Sequence, residues 1–224
     1  MGVNVQRALL LVIGSFVASP GCKSREHTLA TVISPGSIDA DASTGTTGSA
    51  GANSVELVIN GDFKDGDTGF DTDYEPFSGA DMGETQYVVT DHTSGRHYLV
   101  TNDVPDHGGD GYLLMINSAP NPDVAVWKQR VALQAGASYR MTVWVRHWLP
   151  ETEDPFDYQV RADDQLVGSM DQEQGLDDTG WTRLKVDWTS VQSGDVLVAL
   201  FNMDLSARNN DHFLDDISLV QLTP

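Results

Sequence analysis

The chain is poor in cysteine and in basic residues. It has one cysteine among 224 residues, which excludes an internal disulfide framework and zinc modules built from several cysteines. Its 13 Lys and Arg residues are opposed by 33 Asp and Glu residues, for a formal charge of −20. Nucleic-acid binding and an electrostatic hold on anionic lipid both require a basic patch, so this balance argues against both.

The negative charge belongs to one part of the chain. Residues 1–54 contain three of the 13 basic and three of the 33 acidic residues, so residues 55–224 hold 10 and 30 and carry the whole −20. Such an excess of acid either keeps a protein soluble or binds cations. Ca²⁺ prefers carboxylate and carbonyl oxygens, so it is the cation to expect.

Long apolar runs are also lacking. The run at residues 8–18, which follows Arg7, is too short to span a bilayer but suits the core of a signal peptide. It ends in Ser19-Pro20-Gly21-Cys22, which is similar to a bacterial lipobox, whose cysteine is lipidated and becomes the mature N-terminus. We therefore expect a signal peptide at 1–21, lipidation of Cys22, and a location in the outer membrane or at the cell surface, with membrane contact through the lipid only.

The segment after the cysteine has the composition of a tether. Within residues 34–54, 16 of 21 residues are Ser, Thr, Gly or Ala, which is too little apolar surface to offset the entropy of ordering. We predict a flexible linker over 22–54, with a reach of about 30 Å. Residues 55–224 then form the folded domain.

The folded domain has the pattern of an all-β protein. Short alternating segments are separated by Gly, Asp, Asn and Pro clusters, and no amphipathic helix is evident. This predicts an antiparallel β-sandwich with jelly-roll topology. The predicted strands are 55–59, 86–89, 112–117, 124–133, 139–148, 156–162, 182–188, 196–202 and 212–221.

The strand at 139–148 has two different faces. Tyr139, Met141, Val143 and Val145 share one face, which we interpret as core. The opposite face consists of polar and aromatic side chains, typical of a solvated sheet surface on which a ligand stacks; these are Arg140, Thr142, Trp144, Arg146 and Trp148. Trp148 precedes Leu149-Pro150-Glu151, which places it at a rim of the sheet.

Four motifs, in order along the chain, resemble a known family. They are Asn60-Gly61-Asp62-Phe63 with Gly66 and Gly69-Phe70; Asp106-His107-Gly108-Gly109-Asp110-Gly111 and the strand after it; Val126-Trp127-Lys128-Gln129-Arg130-Val131 with Ala135-Gly136-Ala137-Ser138-Tyr139; and Phe213-Leu214-Asp215-Asp216-Ile217-Ser218-Leu219. Together they resemble carbohydrate-binding modules of the CenC type (families 4 and 9). The resemblance implies a galactose-binding-like β-sandwich, non-catalytic binding to glycans and a structural calcium ion.

The resemblance also implies site residues. Asp62 from the opening motif and Asp215 or Asp216 from the closing motif are the calcium ligands carried over from the family; adjacent strand residues point to opposite faces, so one of the two aspartates should face inward. The alternative is that both are exposed charges. Lys64 stands where the family has a glutamate. Sugar binding requires flat aromatic faces and planar polar groups. The predicted contact residues are Trp148, Trp144, Arg146, Gln129 and Tyr158.

Catalysis has little support in the sequence. Asp–His neighbours arise easily among so many acids, and neither a metalloprotease spacing nor a Gly-x-Ser-x-Gly elbow is present. The expectation is therefore a non-enzymatic module that binds a poly- or oligosaccharide and is displayed at the cell surface by a lipid anchor. The alternative is a structural or protein-binding β-sandwich, with a surface protein as partner and no sugar site.

Overall fold

The computed structural model describes residues 54–149, 154–176, 179–206 and 210–223, which contain eleven strands and no helix. The strands are β1 (Glu75–Pro76), β2 (Gln86–Thr90), β3 (Leu113–Asn117), β4 (Ala125–Leu133), β5 (Ser138–His147), β6 (Tyr158–Ala162), β7 (Gln165–Ser169), β8 (Asp171–Leu176), β9 (Thr182–Thr189), β10 (Gly194–Asn202) and β11 (His212–Leu222). Among these residues, no helix is long and apolar enough to cross a membrane. The predicted signal peptide, Cys22 and nearly all of the linker lie outside the described residues.

The strands form two sheets. The larger has the order β1-β2-β3-β11-β5-β9-β8 and the smaller β4-β10-β6-β7. Neighbouring strands are antiparallel except β1 and β2. The chain passes from one sheet to the other after β3, β4, β5, β7, β9 and β10, which is the connectivity of a jelly roll. The predicted all-β sandwich is confirmed.

The main core lies between the two sheets. The four apolar residues of β5 predicted to face inward are each fully buried in it, beside Trp127 of β4 and Leu200 of β10. Period-2 alternation on antiparallel strands therefore identifies the inner face correctly here. The buried hydroxyl of Tyr139 is also hydrogen-bonded, because it accepts the backbone N–H of Gln134 at 2.8 Å.

A second apolar cluster lies on the outer face of the larger sheet. It contains Met115 of β3, Phe213 of β11, Trp148 and Trp181. The segment between β2 and β3 contributes Val100 to this cluster, and its Pro105 carbonyl accepts the Trp181 indole N–H at 3.2 Å. Part of the face that the sequence predicted to be solvated is therefore covered by this segment.

The first predicted strand is wrong. Residues 55–59 form only an isolated bridge, between Glu56 and Val220. The Glu56 carboxylate accepts the backbone N–H groups of Val58 and Leu219, and the Gln129 side chain bonds both backbone groups of Ile59. Side chains thus satisfy backbone groups that a regular ladder would otherwise pair.

Candidate functional site

The opening and closing motifs meet at a tight junction. The N–H of Ile217 donates to the Gly61 carbonyl at 2.9 Å. A Cβ added at Gly61 would lie 1.9 Å from the Ile217 carbonyl oxygen, so only glycine fits. Phe63 is fully buried and packs edge-on against Phe70, with ring centroids 5.4 Å apart. These motif residues are structural, and the Asp62 side chain is left at the surface of the junction.

Asn60 shapes the turn that carries Asp62. Its amide nitrogen donates to the carbonyls of Gly66 and Thr68 at 2.9 and 2.8 Å, and its side-chain oxygen accepts the N–H of Asp65 at 3.0 Å. Asn60 has a φ of 55°, a left-handed conformation that asparagine tolerates better than most residues. One side chain thus closes the whole turn.

A β-bulge in β11 sets the positions of the two adjacent aspartates. Asp215 pairs with Trp144 and Ser218 pairs with Thr142, so Asp216 and Ile217 together oppose a single residue of β5. Asp216 has a φ of 47°, in agreement with a bulge. As a result Asp215 is fully buried, Ile217 enters the core and Asp216 remains partly exposed.

Asp215 holds a loop onto the outer face of the sheet. One of its oxygens accepts the backbone N–H groups of His107 and Gly108 at 2.8 and 3.4 Å, and the other accepts the N–H of Asp216 at 2.8 Å. Burial, to which the charge of Asp216 adds, raises the pKa of Asp215 to about 8, although the three amides oppose the shift. The buried carboxyl thus loses a proton less readily than an exposed aspartate does.

His107 lies directly on Trp144. The two rings stack with centroids 3.7 Å apart and planes 18° from parallel, and the imidazole Nδ1 lies 2.6 Å from Asp216 Oδ2. Trp144 is left half-buried. The contact with Asp216 holds the imidazole, and the stack holds the indole against it, so a ligand meeting Trp144 finds a preorganised surface.

An open cleft of about 470 Å³ lies beside this indole, and we call it the Trp144 cleft. It extends over β11, β5 and β9, with the segment before β1 as its wall. Its lining includes Glu56, Val58, Asn60, Gly61, Asp62, Lys64, Asp65, Thr142, Trp144, Arg183, Asp216, Ile217 and Ser218. An aromatic ring among many hydrogen-bonding groups is the composition that recognises sugars.

The predicted calcium ligands are brought only partly together. Asp62 and Asp216 line the same cleft, but Asp62 is paired with Lys64 and Asp216 with His107. Desolvation and the nearby charges of Asp62, Asp106 and Asp216 raise the pKa of Asp110, so several carboxylates crowd this end of the cleft.

The donor set is nonetheless short of ligands for calcium. Within the described ranges, no group of three or more His, Cys, Asp or Glu side chains is arranged to hold a metal ion, and Ca²⁺ takes six to eight oxygens. Calcium binding stays a prediction from the sequence.

Of the five predicted sugar contacts, all of them described, Trp144 alone lines the cleft. The rim position expected of Trp148 is wrong: it is 6% exposed, in the second apolar cluster, and its indole N–H donates to the His212 carbonyl. Tyr158 is fully buried, with its hydroxyl 2.8 Å from His212 Nδ1. Neither side chain offers a surface to a ligand.

The polar candidates are also used by the protein itself. Gln129 is buried, and its side-chain amide forms hydrogen bonds with the backbone of Ile59 and Gly69. Arg146 is partly exposed but donates to the Thr179 carbonyl at 2.6 Å, away from the cleft lining. These positions correct the predicted site, because alternation identifies a face but not the loops that cover it.

The groups that sequence reasoning missed are Lys64 and Arg183. Arg183 of β9 pairs directly with Trp144, so its side chain lies on the same face. The alternation of β9 predicts that Arg183 faces outward. It does not predict that Arg183 lies beside Trp144, because that depends on the register between β9 and β5. The only sequence signal at Lys64 is its departure from the family pattern.

Comparisons with known proteins show similarity in fold but not in sequence. No family model and no curated protein match the sequence. Among solved structures, a Stig cyclase of Fischerella sp. TAU bound to (3Z)-3-(1-methyl-2-pyrrolidinylidene)-3H-indole is 12% identical over 76% of this chain and 98% of its own, with a TM-score of 0.51. The similarity at this identity shows a shared β-sandwich and not an activity.

Two other similar structures are carbohydrate-binding modules. The CBM22-1 xylan-binding domain of Paenibacillus barcinonensis Xyn10C is 14% identical over 76% of this chain and 94% of its own, with a TM-score of 0.44. TmCBM61, in complex with β-1,4-galactotriose, is 16% identical over 75% of this chain and 99% of its own, with a TM-score of 0.43.

Proposed function

We propose that residues 55–224 form a non-catalytic glycan-binding module whose binding site is the Trp144 cleft. The observation that carries this proposal is the fixed, half-buried indole of Trp144 in an open cleft lined by Arg183 and Lys64. The indole provides an apolar surface for the C–H side of a pyranose. The guanidinium and ammonium groups provide donors for sugar hydroxyls.

Catalysis is not part of the proposal. Asp215, next to Asp216 of the cleft, has a buried carboxyl whose pKa is raised to about 8, which would suit a proton donor. It is fully buried, however, and both of its oxygens accept backbone N–H groups. A general acid must come within hydrogen-bonding reach of its substrate, so we assign Asp215 a structural role.

The test is a titration of tryptophan fluorescence and heat with xylohexaose and β-1,4-galactotriose, followed by a glycan array. Stacking on an aromatic side chain contributes about 1–3 kcal/mol, so Trp144→Ala should weaken binding about 5- to 150-fold. The control is Tyr98→Ala, since Tyr98 is 71% exposed and lies outside the cleft. It should leave binding unchanged.

Two results contradict this assignment. Equal losses in Trp144→Ala and Tyr98→Ala would place the site elsewhere. A folded domain that binds no glycan would instead favour the alternative, a structural or protein-binding surface domain. Melting curves of both variants establish that each is folded before binding is compared.

We also propose that the module is displayed at a membrane surface by lipid on Cys22, with residues 22–54 as a flexible tether. Its support is the sequence 19–22 at the end of a short apolar run. Cys22→Ala should move the protein from the detergent phase to the aqueous phase, or leave its leader uncleaved. Partitioning that does not change on this substitution would contradict lipidation.

A further inference from the structure

Asn60 is followed by a glycine, and the pair Asn60-Gly61 occurs once in the chain. Asparagine is a thermolabile residue, because the backbone nitrogen of the next residue attacks its side-chain carbonyl carbon. Glycine has no Cβ that would obstruct this attack. The sequence therefore places a reactive asparagine at the junction of the opening and closing motifs.

The reaction proceeds through a five-membered succinimide ring. The Gly61 nitrogen forms a bond to Asn60 Cγ and loses its proton, while the bond from Cγ to Nδ2 breaks and ammonia leaves. Water then cleaves one of the two C–N bonds of the imide. The product at position 60 is aspartate or isoaspartate, and the net change consumes one water and releases one ammonia.

The folded turn holds the Asn60 amide by both of its ends. Its two N–H donors are used by the carbonyls of Gly66 and Thr68, at 2.9 and 2.8 Å. Its oxygen accepts the N–H of Asp65 at 3.0 Å. An amide has only two donors, so rotation of the group toward the Gly61 nitrogen must break these hydrogen bonds.

The backbone on either side of Asn60 is held as well. The Gly61 carbonyl accepts the N–H of Ile217 at 2.9 Å, and a Cβ at Gly61 would lie 1.9 Å from the Ile217 carbonyl oxygen. On the other side, the Gln129 amide bonds the N–H and the carbonyl of Ile59 at 2.9 and 3.0 Å. Ring closure moves the peptide between positions 60 and 61, so it requires the turn to open. Its rate then follows the population of the open turn.

Neither product fits the closed turn. An aspartate carboxylate has no N–H donor, so it would set negative oxygens against the carbonyls of Gly66 and Thr68 in place of two hydrogen bonds. Isoaspartate adds a methylene to the main chain next to Gly61, where the Ile217 backbone leaves no space. The reaction therefore removes the contacts that closed the turn before it.

We propose that Asn60-Gly61 is a deamidation site that the folded junction suppresses, and that deamidation prevents the junction from closing again. A reversible opening of residues 57–69 then becomes permanent when the reaction intervenes. The proposal is independent of the ligand that the Trp144 cleft binds.

The test is peptide mass spectrometry of the domain during incubation at 37 °C, in native buffer and in guanidinium chloride. A synthetic peptide of residues 55–66 provides the rate of an open Asn60-Gly61. The unfolded domain should convert Asn60 to the acid at the rate of the peptide. The folded domain should convert it at least about 100-fold more slowly.

A variant with a loosened turn should lose part of this protection. Gln129→Ala removes two hydrogen bonds to Ile59, so it should raise the rate at Asn60 in native buffer by at least about tenfold. The matched control is Gln134→Ala, since Gln134 is exposed and its side chain lies outside the turn. It should leave the rate unchanged. Melting curves establish that both variants are folded at the incubation temperature.

The effect of the product is measured separately with Asn60→Asp. Loss of the two hydrogen bonds donated by the amide should lower Tm by about 4–8 °C. Asn102→Asp is the control, because Asn102 is exposed and its amide makes only a 3.4 Å contact with Thr101. It should melt like wild type.

Each part of the proposal has its own contradicting result. An unfolded domain that keeps Asn60 intact would show that the pair is not a modification site. Equal rates in the folded domain and the peptide, or an unchanged rate in folded Gln129→Ala, would refute protection by the turn. An Asn60→Asp variant that melts like wild type would show that the product fits the closed junction.

Discussion

Gly61→Ala should destabilise the domain, because the junction of the opening and closing motifs has no room for a methyl group. The added Cβ would lie 1.9 Å from the Ile217 carbonyl oxygen and 3.0 Å from Val58 Cγ1. The closest atom belongs to the backbone, so no rotation of a side chain relieves the clash. Either the turn or the bulge of β11 must move by more than an ångström.

The cost follows from two contributions. Overpacking of a closed site costs about 1–3 kcal/mol, and movement of the turn breaks the 2.9 Å hydrogen bond from Ile217 to Gly61, which contributes about 1 kcal/mol. We expect a loss of about 2–4 kcal/mol in the free energy of unfolding. For a domain of this size that lowers Tm by about 6–12 °C.

The assay is urea unfolding followed by tryptophan fluorescence, with thermal melting by circular dichroism. Gly79→Ala is the control, because a Cβ there has its nearest neighbour at 3.6 Å, an ordinary contact. It should stay within about 0.5 kcal/mol of wild type. Equal unfolding midpoints for Gly61→Ala and Gly79→Ala would refute the close approach of the two motifs.

Three further predictions concern the buried acid, the buried indole and the metal. The pKa of Asp215 is near 4 in the unfolded chain and about 8 in the folded domain, so its contribution to stability is present at acid pH and falls as pH rises. The difference in free energy of unfolding between wild type and Asp215→Asn, measured by urea unfolding with chelator, should therefore change by about 2.7 kcal/mol between pH 5 and 7. A difference that stays constant over this range would contradict the raised pKa. Trp148→Ala and Tyr139→Ala should each lower the free energy of unfolding by about 3–5 kcal/mol, because each leaves a large cavity. A Trp148→Ala variant that melts like wild type would show that Trp148 lies at the surface. If calcium relieves the repulsion among the crowded carboxylates, Tm should be higher with calcium than with chelator and Asp216→Ala should abolish the difference; identical wild-type curves rule out a structural ion.

Strands with strong alternation were predictable from the sequence, and weakly patterned ones were not. The inner face of β5 could be assigned from its period alone, but β7 and β8 were missed. The loop before β7 is Asp163-Asp164, with φ of 43° and 65°. It is a two-residue hairpin turn of the type that requires both residues in the left-handed conformation. Two adjacent aspartates in an acidic chain look like surface charge, so the hairpin signal is lost.

The site was less predictable than the fold, because it depends on contacts far apart in the sequence. Trp144 and Trp148 have the same face and the same chemistry in the sequence, yet one lines a cleft and the other is 6% exposed. The difference arises from the segment between β2 and β3, whose position depends on Asp215, more than 100 residues away. Local periodicity contains no information about such a cover.

The attachment of residues 54–59 has a mechanical consequence. These residues are held at one isolated bridge and by the side chains of Glu56 and Gln129. A force applied to the chain at Ser54 would break these contacts one after another before it acts on the Gly61 junction. Glu56 and Val58 belong to the wall of the Trp144 cleft. Tension from the N-terminal side would therefore deform the wall of the cleft before it reaches the strands of the two sheets.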